Sequence, residues 1–289
     1  MKRELTIPML PAAGGILALA LRTWQNRTGF EAATGLPIPG ATAGRLLLVL
    51  LLLLAAVLTL LAFRLPKEET PPSLPENFSG ASPLWAMLAA AGGVLVALSG
   101  AADLLEGLGF GNLMLRLQAA ADPAGALYAD LPFGAGSAFP SRVQLLLGVM
   151  SILSGAAMWM ALMACRRQEP CKAPALLLVL PVDLVVRLVL TYRIDSVDPA
   201  LEAYYVEILA LVFLTLGTYR LSSFVFQGGE TRRFVLYGGL GAVMGIAALG
   251  DGGAVLSSPL LYGGGALSLL GFLGMKLSGP PAAKEGEAN

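Results

Sequence analysis

Two ionisable residues stand inside an otherwise apolar stretch, and chemistry is sought there first. Asp183 and Arg187 are four apart, so on a helix they share one face and can neutralise each other. A charge in hydrocarbon is costly, so such a pair is either a structural ion pair or a mid-membrane site for binding or ion coupling. Glu207, early in the next apolar stretch, falls at the expected level of Arg193 and Asp195. It is either an interfacial carboxylate or a further member of that site. Asp103 and Glu106, three apart at the end of another apolar stretch, put two carboxylates on one helix face. With Asp195, Asp198, Glu202, Glu207 and Asp251 they would give one side of the molecule an acidic character. That suits a cation or an amine better than an anion. The plainer reading is that acidic residues remain where basic ones are disfavoured.

Other chemistries fall away. The 289 residues include 19 basic, 19 acidic and no histidine. A Ser-His-Asp or Cys-His pair, a His₃ zinc and a bis-histidine haem are therefore excluded, and no cofactor is implied. Cys165 and Cys171 flank Arg166–Arg167 and do not make a metal site. The balanced charge argues against a nucleic-acid partner. There is no Walker loop, dinucleotide fingerprint or kinase motif, so an ATP-driven transporter would need a separate ATPase subunit.

The elements that must position these residues follow from composition. The chain is 56% hydrophobic and 13% charged, with mean hydropathy +0.74. A soluble domain carries about 25% charged residues. In a bilayer only helices or closed barrels satisfy the backbone. A barrel would alternate in polarity over ~10-residue stretches, whereas the apolar runs here are long and unbroken. Leu46–Phe63, bracketed by Arg45 and Arg64, is uncharged over a length that spans about 27 Å as a helix.

The expectation is an all-α polytopic transmembrane helix bundle of about eight spans. They fall roughly at 5–21, 46–63, 83–102, 143–165, 174–192, 204–226, 234–250 and 254–277. They form a single integral-membrane domain, 1–278, followed by a short polar tail, 279–289. Lys2 and Arg3 precede the first run, and Ala18–Leu19–Ala20 has the small-x-small pattern of a signal-peptidase site, which would leave seven spans. Pro8, Pro11 and the many spans that follow favour a retained helix.

Basic residues set the orientation. With the N-terminus inside, twelve Lys and Arg fall on cytoplasmic segments and six (Arg22, Arg27, Arg45, Arg116, Arg142 and Arg193) on the other side, so both termini read as cytoplasmic. Two long external segments result, 22–45 and 107–142, which read as interfacial loops or as a lid over a site. The Leu65–Ser82 link reads as a plain solvated linker. Small residues four apart read as helix-packing stripes: Ala89, Gly93 and Ala97; Ser151 and Gly155; Gly241 and Gly245; Gly264 and Ser268.

Three function classes are compatible with these residues. The first is a small-molecule or ion permease, or the membrane subunit of one, using Asp183, Arg187 and Glu207. The second is a non-catalytic membrane sensor, scaffold or assembly partner whose buried charges are structural. The third is an intramembrane enzyme with carboxylate chemistry, for which the chain offers no catalytic motif. Eight spans with opposite charges inside them exceed what an anchor needs, which favours the first. The expected setting is the cytoplasmic membrane of a bacterium, with the lipid bilayer as the partner. Nothing in the residues sets an oligomeric state.

Overall fold

After Arg45, the segment Thr42–Phe63 has neither a charge nor a glycine to interrupt it, and it forms one helix of 22 residues, α2. At 1.5 Å per residue this is about 33 Å, the thickness of a hydrocarbon core. The computed structural model describes residues 2–31, 36–38, 40–65, 74–78, 83–108, 141–195, 201–226, 228–251 and 256–278. Before α2 comes α1 (Lys2–Thr28). After it come the one-turn α3 (Leu74–Asn77), α4 (Pro83–Gly107) and α5 (Ser141–Arg167). A 3₁₀ turn, Pro174–Leu178, leads into α6 (Val179–Asp195), followed by α7 (Leu201–Ser223). Then α8 (Thr231–Ala248) is prolonged by a 3₁₀ turn, Leu249–Asp251, and α9 is Ser257–Ser278. Among the described residues eight helices are long and apolar enough to cross a membrane. Each expected span has its helix.

Hydrogen bonds between elements distant in sequence show which helix ends lie together. At one end Asn26 of α1 donates to the Gly250 carbonyl beyond α8, and Gln144 of α5 donates to Glu106 of α4. At the other end Arg232 of α8 donates to the Leu65 carbonyl, Gln168 to the Pro75 carbonyl, and Ser222 of α7 to the Leu177 carbonyl. The helices therefore run up and down alternately between an Arg22 end and a Phe78 end. Burial grades across the bundle: 72% of the apolar window of α9 and 61% of that of α8 lie inside, against 22% for α2. So α8 and α9 form the centre, while α2 presents Leu48, Val49, Leu52 and Leu60 outward.

The small-residue stripes do close-packing work. On one side of α4, a Cβ on Gly148 of α5 would lie 2.8 Å from the Gly100 carbonyl oxygen. On the other, a Cβ on Gly264 of α9 would lie 2.9 Å from the Gly92 carbonyl oxygen. Side chains at either point would force the helices apart, so α4 is wedged between α5 and α9 by glycine on both faces.

Two expectations about the connections are overturned. The Leu65–Ser82 link is not simply a solvated linker. Leu74 and Phe78 are each 2% exposed, and the Phe78 ring meets Phe224, Phe234 and Phe272 edge-on at centroid separations of 5.4, 6.0 and 5.7 Å. Two apolar side chains on one short turn gain more from burial than the polar remainder loses. The segment 22–45 is also much shorter than a loop of that span, because α1 continues to Thr28 and α2 starts at Thr42. What is left includes a tight reversal, with Ile38 donating to the Gly29 carbonyl and Glu31 to that of Leu36. Most of the segment 107–142, and the tail 279–289, lie outside the described residues.

Candidate intramembrane charge site

Asp103 sits one turn from the end of α4, on the face that carries Gly92, Val96, Ser99 and Gly100 inward. Ser151 lies on α5 between Gly148 and Gly155, the two glycines that bring α5 against α4. Asp183 and Arg187 lie one turn apart on α6. Glycine packing thus sets the distance between α4 and α5, and with α6 these helices present two carboxylates, a hydroxyl and a guanidinium to one another. Asp183, Ser151, Asp103 and Arg187 are 0%, 0%, 2% and 4% exposed.

The contacts form a ring of Arg187, Ser151 and Asp183, to which Asp103 is joined through Arg187. Arg187 donates through one terminal nitrogen to Asp103 Oδ2 and to Ser151 Oγ, the latter at 2.9 Å. Ser151 Oγ donates in turn to Asp183 Oδ2 at 2.6 Å. Arg187 Nε faces Asp183 Oδ1 at 3.5 Å, an ion pair without a hydrogen bond. The expected pairing of Asp183 with Arg187 within one helix is present, and Asp103, 84 residues away in sequence, completes it. Half-buried Glu106, one turn beyond Asp103, accepts from Gln144 Nε2 at 3.2 Å. With both aspartates ionised the ring carries one negative charge more than Arg187 balances.

A second polar set lies at the same end. Arg22 is completely buried. Its Nε pairs with Asp251 and its NH1 donates to Gln25 at 2.9 Å, while the guanidinium stands 5.4 Å from the Tyr205 ring centre. Asn26 reinforces the junction by donating to Asp251 at 3.2 Å. Glu207, on α7 near Tyr205, accepts a 2.6 Å hydrogen bond from the hydroxyl of Tyr262 on α9.

This arrangement corrects the acidic side expected from sequence. Asp103 and Asp251 do not face outward as free anions; each turns inward onto an arginine, because in an apolar surround a carboxylate without a partner is far costlier than one with it. Arg22, counted among loop residues, is an interior residue of α1. The side chains of Asp195, Asp198 and Glu202 lie outside the described residues. Sequence reasoning missed Ser151, which it read as packing alone, and missed Arg22, Gln144 and Tyr262. Only Arg22 had a signal: Ala18, Arg22, Gln25 and Asn26 recur at helical spacing, so one face of a continued helix would carry them inward.

A described cleft of about 230 Å³ lies elsewhere, against the far end of α5. Among the described residues no group of three or more Cys, Asp or Glu side chains could hold a metal ion. The bundle has spanning-length apolar helices, leucines outward and charges folded inward, the architecture of a multi-pass membrane protein. Comparison with known protein families, with curated proteins and with solved structures gave no match.

Proposed function

We propose that the chain is a permease, or the membrane subunit of a transporter, in which the Asp103–Ser151–Asp183–Arg187 ring holds a proton or a small monovalent cation. The observation that carries this reading is the charge imbalance: two buried carboxylates from different helices share one guanidinium. A surplus negative charge in low dielectric costs several kcal/mol unless neutralised. A group that can be neutralised by an incoming ion, on helices that contact each other through small residues, is a natural coupling element.

The second reading is structural, in a sensor, scaffold or assembly partner. It is favoured by the near-complete burial of all four residues and by their linkage through hydrogen bonds and ion pairs. In that case the ring only fixes α4, α5 and α6 together.

The two readings part in proteoliposomes loaded with a pH-sensitive dye and challenged with cations, amines, amino acids and vitamins. A substrate-dependent proton movement that is lost in a well-folded Asp183→Asn variant supports the permease. Identical traces from wild type and variant across the panel, together with carboxyl infrared bands that do not change with pH, leave the structural reading standing.

A further inference from the structure

The way α5 finishes at the Phe78 end builds a second site. Gln168 takes the left-handed conformation (φ 57°), and the Glu169 N–H donates to the Ala164 carbonyl at 3.2 Å. This is the six-to-one bond of a Schellman ending, made here without glycine. The Gln168 amide holds it by donating to the carbonyls of Cys165 (2.7 Å) and Pro75 (3.2 Å). The chain is turned back sharply, and Glu169, Pro170 and Lys172 wall a cleft of about 230 Å³ against the last turns of α5.

The floor of that cleft is ordered by depth. Trp159, Met163 and Arg167 are spaced four apart, so they form one stripe about 12 Å long. It leads from an indole (47% exposed) through a thioether (37% exposed) to a guanidinium at the helix end. Arg167, Glu169 and Lys172 are exposed, and none of them forms an ion pair among the described residues. Two cations, Arg167 and Lys172, thus line the cleft with one carboxylate, Glu169. The helix-end carbonyls that would repel an anion are partly occupied by the Schellman and Gln168 bonds.

We propose that this cleft binds an anionic phospholipid, with its phosphate between Arg167 and Lys172 and the start of one acyl chain along Met163 and Trp159. The charge surplus selects a headgroup of net negative charge over a zwitterionic one. The apolar stripe selects a lipid over a soluble phosphate, which has nothing to place on Trp159. The proposal stands apart from the charge ring and from any transport activity.

Trp159 is itself the reporter. The full-length protein is placed in bilayers of mixed phosphatidylcholine and phosphatidylglycerol in which only one of the two carries brominated chains. The Trp159 contribution is the difference between wild type and Trp159→Phe. Brominated phosphatidylglycerol is expected to quench that contribution more than brominated phosphatidylcholine at equal mole fraction, each cation supplying about a fivefold preference. R167Q/K172Q removes the excess, while R167K/K172R retains it. Equal quenching by both lipids in wild type overturns the proposal, as does an excess that survives in R167Q/K172Q. Relief of the excess by soluble glycerol phosphate overturns it too, by assigning the cations to a water-soluble anion.

Discussion

Arg187 balances two carboxylates, and the consequences of removing each partner are therefore unequal. Arg187→Gln leaves Asp103 and Asp183 buried together without a cation, and it is expected to destabilise the protein by about 3–5 kcal/mol. Asp183→Asn leaves a one-to-one pair of Arg187 with Asp103 and keeps an acceptor for Ser151, so about 1–2 kcal/mol is expected. Adding Asp103→Asn and Asp183→Asn to Arg187→Gln should restore most of the loss, since no charge then remains in the ring. Thermal unfolding of the four proteins in one detergent checks the order; a triple variant no more stable than Arg187→Gln alone would sink the charge-balance argument. Glu207 is tested separately: Tyr262→Phe deprives it of a donor at 2.6 Å and is expected to cost about 1–2 kcal/mol by the same measurement. The sequence disclosed the pair on α6 because both residues lie on one helix at a spacing that geometry alone interprets. It did not disclose Asp103 as the partner, because that contact depends on which faces of α4, α5 and α6 meet.

Helices were legible for a simpler reason. Hydrocarbon leaves a chain no other local structure, so long runs such as Leu46–Phe63 identify α2 before any packing is known. Connections were not, since their fate depends on whether the bundle end offers a pocket. Leu74–Phe78 shows this: Pro75, preceded by Pro71, Pro72 and the charged Lys67–Glu69, suggests a solvated link, yet Phe78 closes an aromatic cluster with Phe224 just after α7, Phe234 of α8 and Phe272 of α9. Phe78→Ala should therefore cost about 3–5 kcal/mol, a core-sized loss, whereas a solvated linker would show almost none. The α4–α5 contact makes a comparable demand. Gly148→Val would push the helices apart where the Gly148 Cα faces the Gly100 carbonyl. The variant should lose stability by about 1–3 kcal/mol and, by separating Asp103 from Arg187, mimic part of the Arg187→Gln defect. Additive losses in the double variant would show that the glycine contact does not position the ring.

At the scale of the whole molecule, the alternation of the helices turns the basic residues into a statement about sidedness. Arg64, Arg166, Arg167, Lys172, Arg232, Arg233 and Lys276 all belong to the Phe78 end. The burial of Arg22 against Asp251 removes one of the few cations from the opposite side and sharpens the bias. We therefore propose that the Phe78 end is cytoplasmic. Exposed Ile38 and Glu230 mark the two ends. In a Cys165→Ser/Cys171→Ser background, an impermeant maleimide applied to intact cells should label Ile38→Cys, and should label Glu230→Cys only after permeabilisation. The reverse pattern would invert the molecule. Orientation matters to the charge ring, because Asp103 lies only one turn from the Arg22 end of α4, with Glu106 and Gln144 beyond it. If that end faces outward, an ion reaching the ring by the shortest path arrives from outside, and the leucine-rich and aromatic packing around Phe78 is the barrier it meets on the way in. Glu106→Gln should then slow exchange between the ring and the outer solution while leaving stability nearly unchanged, a combination that carboxyl infrared bands followed after an external pH jump would reveal.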